Sequence, residues 1–92
     1  MRGRHQLPVI LIVSSFSLAA RAETPELQAD ALVVEGAKLG EAGRYEEAIL
    51  RFKAADSLVR RTLHDCNIGL AYARLSRFPQ AHYFFSRCAR LS

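Results

Sequence analysis

Four side chains in this 92-residue chain have the types that hold metals: His64, Cys66, His82 and Cys88. Their spacing argues against one shared site. If the chain folds back on itself near Arg77, Cys66 and Cys88 lie opposite each other, each eleven residues from the turn. His64 and His82 stand thirteen and five residues from it and do not meet. His82 and Cys88 are six residues apart, roughly 9 Å along a helix. No tetrahedral site collects all four, so no metal is expected, and His64 and His82 read as solvated residues of polar helix faces. Ser57, Ser76 and Ser86 fall at turns or on polar faces, with no base and orienting acid spaced to activate them. A P-loop, a dinucleotide glycine fingerprint and an H-E-x-x-H pair are all absent from the sequence. No enzymatic chemistry and no cofactor are implied. The two cysteines leave two readings open. One is a Cys66–Cys88 disulfide, which an exported protein permits. The other is a pair of small apolar residues, one within the packing and one facing a groove.

Charge narrows the partners. The formal net charge is +4, but Arg2, Arg4 and Arg21 lie in the first 22 residues with no acid among them. From residue 23 on, ten bases nearly balance nine acids. Nucleic acid is therefore not an expected partner, since phosphate binding needs Lys and Arg clustered on one face. Residues 23–56 hold eight acids against four bases, and residues 57–92 hold six bases against one acid. Either these are solvated faces, or the oppositely charged halves attract, within one chain or between copies.

The N-terminal 22 residues read as an address. A basic start (Arg2, Arg4, His5) is followed by an apolar run from Leu7 to Leu18 and an A-x-A site, Ala20-Arg21-Ala22. That is the layout of a secretory signal peptide cleaved after Ala22. Twelve residues span roughly 18 Å as a helix against about 30 Å of hydrocarbon, too short for a permanent anchor. The membrane is met only in transit, and the mature domain, 23–92, is expected in the periplasm or secreted.

Four helices are expected in that domain. Thr24-Pro25-Glu26 is a helix start, with a capping hydroxyl, a proline at the first position and an acid at the positive end of the dipole. The first helix runs to about Ala42, where Gly43 supplies a left-handed stop. The second runs from about Tyr45 to Arg60, with Ala48, Phe52, Ala55 and Val59 on one stripe. The third covers about Leu63 to Leu75 and is apolar on more than one side, so it needs two neighbours. The fourth starts at Pro79 and is expected to bury Ala81, Phe84, Phe85, Cys88 and Leu91.

Shifted by 33 residues, the second half overlays the first: Gly36 on Gly69, Arg44 on Arg77, Tyr45 on Phe78, Ala48 on Ala81, Phe52 on Phe85 and Leu58 on Leu91. A period of this size signals stacked helix hairpins. A four-helix antiparallel bundle shares the polarity pattern, but matched residue sizes favour the repeat. Gly36, Leu39, Ala48, Phe52 and Ala55, and again Gly69, Tyr72, Ala81, Phe85 and Cys88, resemble the tetratricopeptide repeat pattern. Glu35 and Asp65 depart from it where large apolar residues are usual, Arg60 where a proline often closes the repeat, and Ser76 where a turn glycine is usual.

That resemblance implies an all-α fold of two tandem helix-turn-helix hairpins, about 25–60 and 63–91, forming a short right-handed solenoid. It also implies a concave face built from the first helix of each hairpin: Val33, Ala37, Gly40 and Glu41, then Leu63, Cys66, Asn67, Leu70 and Arg74. Such a groove suits an extended apolar peptide or a partner helix. The expected function is a non-enzymatic scaffold or adaptor of the cell envelope that binds a protein or peptide. The alternative is the recruiting fragment of a larger exported enzyme or regulator. Arrays of this kind use about three units and a polar cap. Tyr83, Phe84 and Leu91, on the fourth helix, are thus expected to be covered by self-association, by a larger partner or by further repeats.

Overall fold

The computed structural model describes residues 23–90, and they are all-helical: α1 (Pro25–Glu41), α2 (Tyr45–Leu58), α3 (Thr62–Arg74) and α4 (Phe78–Arg90). The expected export signal, with its cleavage site at Ala20 and Ala22, lies outside the described residues, as does Leu91. Among the described residues no helix is long and apolar enough to cross a membrane.

The helix ends follow from local chemistry. Thr24 sits in extended backbone, and its Oγ1 accepts the Leu27 N–H at 3.2 Å, satisfying one orphan donor of the first turn. Gly43 closes α1 with φ +79°, and Ser76 closes α3 in the same left-handed region at φ +58°. The two stops make the same bonds one repeat apart. Arg44 N–H donates to Leu39 O and Arg77 N–H to Tyr72 O, both at 2.9 Å. α2 stops at Leu58, two residues before the apolar stripe suggested, because Val59 and Arg61 are extended. Arg60, between them, is held by carboxylates rather than by the helix end.

Each helix packs chiefly on its neighbours in sequence: α1 on α2, α2 on α3, α3 on α4. A closed four-helix bundle would also set α1 against α4, and no comparable contact joins them. Inside each hairpin a glycine admits a phenylalanine ring. A Cβ on Gly36 would stand 2.5 Å from the Phe52 ring, and one on Gly69 would stand 2.7 Å from the Phe85 ring. These glycines are there because the rings occupy the space a side chain would need. The central cluster is Ala48, Ile49 and Phe52 of α2 against Ile68 and Ala71 of α3, with Val33, Leu39, Tyr45, Tyr72, Leu75 and Phe84 around it.

The fourth helix differs from expectation. Ala81 is buried and Phe84 turns inward, stacked on Tyr72 at 5.7 Å between ring centroids. Lys53 lies over both rings, 5.5 and 5.6 Å from their centroids, and donates to the Tyr72 hydroxyl at 3.1 Å. Phe85, expected to be buried like Phe52, is 40% exposed against 6% for its counterpart. It covers Gly69 on one side and has no described helix on the other.

Candidate functional site

Between α1 and α3 lies a groove of about 430 Å³, floored by α2. Ala37, Gly40 and Glu41 line it from α1, and Asn67, Leu70 and Arg74 from α3, six of the nine residues expected there. The floor is Tyr45, Ala48 and Phe52, with Gly36 and Ala71 at its edges. These five were legible as packing residues or were not singled out at all. Their sides of the helices serve both core and groove, because small residues leave the backbone close to the surface.

Three expected lining residues lie elsewhere. Val33 is half-buried against the core, Leu63 is exposed outside the groove, and Cys66 is joined to Cys88. The disulfide ties α3 to α4 across a Cα separation of 5.0 Å and leaves no free cysteine among the described residues. Cys66 therefore serves the second hairpin and not the concave face.

The groove wall is chemically plain. Gly40 leaves open space, since nothing lies within 4 Å of a Cβ placed there. Leu70 is exposed, and Glu41 and Arg74, one repeat apart, set one charge of each sign at the rim. The surface can bury apolar side chains and offer Asn67 and the two charges for orientation. It holds no nucleophile and no pair of acids.

A second concentration of polar groups sits behind it, where α2 gives way to α3. His64 and Asp65 are buried, which corrects the reading of His64 as a solvated surface residue. Asp56 Oδ1 is the hub. It faces His64 Nδ1 at 2.9 Å and accepts Arg60 Nη1 at 3.0 Å and the Arg61 N–H at 3.2 Å. Asp65 accepts from Arg60, and from Arg87 of α4 at 3.4 Å. Burial pushes the Asp56 carboxyl up, but its bonds to His64 and Arg61 and the Arg60 charge outweigh that and hold it below the ordinary carboxylate value. The bond to Asp65 raises the Arg60 guanidinium above its ordinary value.

An Asp–His pair invites a catalytic reading, and the geometry argues against it. With Nδ1 directed at Asp56, the outward proton shuttle would have to be Nε2. That atom is sealed from solvent and has no hydrogen-bond partner among the described residues. A base that no substrate can reach does not catalyse. The cluster instead fixes the bend between the hairpins: it clamps Arg60 and Arg61 in extended backbone and links α2, α3 and α4. Among the described residues no group of three or more His, Cys, Asp or Glu is placed to hold a metal ion.

The oppositely charged halves meet within the chain. Arg61 pairs with Asp30 of α1 at 2.8 Å, and Arg77 with Glu46 of α2 at 2.5 Å. Both pairs are solvent-exposed, so each contributes at most about 1 kcal/mol. Their effect is on register more than on stability.

Comparison with known proteins returns no matching family model, curated protein or solved structure.

Proposed function

We propose that this chain is a non-enzymatic protein-interaction module, a pair of tetratricopeptide-like hairpins whose concave groove binds an extended apolar peptide or a partner helix. The observation that carries the reading is the groove between α1 and α3, walled by the first helix of each hairpin and floored by the second helix of the first. The equal spacing of Gly36 under Phe52 and Gly69 under Phe85, and of the stops at Gly43 and Ser76, supports a repeat over a closed bundle. The Cys66–Cys88 bridge supports an exported, oxidising location, the periplasm or beyond, because such bonds do not persist in a reducing cytosol.

A random peptide library displayed on phage, panned against the protein, tests this. The expected result is convergence on short apolar sequences whose binding is lost in Gly40→Trp. That substitution projects an indole into the groove from a position with no packing neighbour. Selected peptides that bind Gly40→Trp as well as the natural chain would contradict the proposal.

A further inference from the structure

One hairpin serves as a map of the other, because positions 33 apart are equivalent. Three pairs of positions behave alike. Ala48 and Ala81 are buried, Gly36 and Gly69 are buried beneath a ring, and Leu50 and Tyr83 face outward at 60% and 55% exposure. Three other pairs do not. Ile49 is buried and His82 exposed, Phe52 is covered and Phe85 open, and Tyr45 is half-buried while Phe78 is 63% exposed. Tyr45, Ile49 and Phe52 are the residues of α2 gathered around Ile68 and Ala71 of α3. The difference thus has one cause: α3 covers this face of α2, and among the described residues no helix covers the same face of α4.

We propose that the face of α4 centred on Phe78 and Phe85 is a second docking surface, and that its occupant is an amphipathic helix of a partner protein with carboxylates flanking its apolar stripe. A helix fits because a helix fills the equivalent place on α2, using Ile68 and Ala71, three residues apart on one side. Acidic flanks fit because α4 carries Arg87 and Arg90 and no carboxylate. The one acid in residues 57–92 is Asp65, which is buried and engaged by Arg60 and Arg87. A second copy of this chain is the poorer occupant. On α1 the positions one repeat before Ile68 and Ala71 are Glu35 and Lys38, so α1 offers no apolar stripe head-to-tail. Two α4 faces brought together would oppose arginine to arginine. The surface is separate from the concave groove and does not depend on it.

Two synthetic helical peptides with the same leucine–alanine stripe, one flanked by Glu and one by Lys, distinguish the outcomes when titrated against the full chain. The acidic peptide is expected to bind at least about tenfold more tightly than the basic one and to weaken as salt rises. Phe78→Ser and His82→Glu are each expected to weaken it by about tenfold, with unchanged helicity, because both side chains are exposed. Gly40→Trp is expected to leave it intact, which separates this surface from the groove. Equal binding of the two peptides, no binding of the acidic one, or indifference to Phe78→Ser would overturn the proposal. So would a dimer of the full chain that Phe78→Ser dissolves, since the face would then join two copies.

Discussion

The two hairpins share a frame and differ in what closes it. In the first, Phe52 lies on Gly36 beneath a covering helix, and the remaining tie between α1 and α2 is an exposed Arg51–Glu35 pair at 3.1 Å. In the second, Phe85 lies on Gly69 with its other side open, and the hairpin carries additional ties. These are the Cys66–Cys88 bridge, the Asp65 link to Arg87 and the Tyr72–Phe84 stack under Lys53. Where a hairpin is sandwiched, apolar burial suffices. Where one face is open, covalent and ionic ties replace the missing burial. A domain this small buries a thin core, so the substitution of one kind of tie for another matters to the whole fold.

Breaking the bridge should expose the comparison most. Reduction, or Cys66→Ser with Cys88→Ser, is expected to lower stability by about 3 kcal/mol on the chain-entropy account. The loss should fall on α3 and α4. Denaturant titration with and without reductant measures its size, and amide exchange shows where it falls; uniform loosening of α1 as well would mean the hairpins do not differ as described.

The two buried glycines give the next largest contrast. Gly36→Ala forces a methyl into a ring that α3 pins in place and should cost about 2 kcal/mol. Gly69→Ala meets a ring free to swing outward. It should cost less than half as much, offset further by the better helix propensity of alanine. Thermal unfolding of the two variants decides the order.

The turn residues predict a smaller effect of opposite sign. Ser76 holds a left-handed backbone that Gly43 adopts without strain. Ser76→Gly should stabilise by about 1 kcal/mol, and Gly43→Ser should destabilise by a similar amount.

The smallest effect concerns acid. Asp56 titrates below its ordinary value in the folded chain, so the unfolded chain takes up that proton first as pH falls. Its contribution is complete above the unfolded carboxylate value, about pH 4, and is lost as pH drops through the lower folded value. Asp56→Asn should flatten this part of the stability profile below about pH 4, a difference visible in denaturant midpoints measured across that range.

Much of the frame was legible because it is local. Thr24 and Pro25 start a helix, Gly43 stops one, and the 33-residue echo of Gly36 and Phe52 in Gly69 and Phe85 places two packing contacts at once. The groove was legible in part, since Ala37, Gly40, Glu41, Asn67, Leu70 and Arg74 line it. Val33, Leu63 and Cys66 were misplaced because periodicity gives a face of a helix but not how far the neighbouring helix wraps around it. The buried cluster was missed. His64 and Asp65 look like surface residues in isolation, and only their partners Asp56, Arg60 and Arg87, up to 22 positions away, satisfy them. A usable signal was Arg60 followed by Arg61, two fixed charges at the bend between hairpins, where buried carboxylates find counter-charges. The open face of Phe85 was also unreadable, since the echo with Phe52 concealed that only one of them is covered.

The most direct test of the groove is an amide chemical-shift map of the full chain with a library-selected apolar peptide. The account predicts shifts concentrated at Gly36, Gly40, Tyr45, Asn67 and Ala71, and none at the outward positions Leu50 and Tyr83. Shifts concentrated at Leu50 and Tyr83, or spread evenly over all four helices, would contradict it.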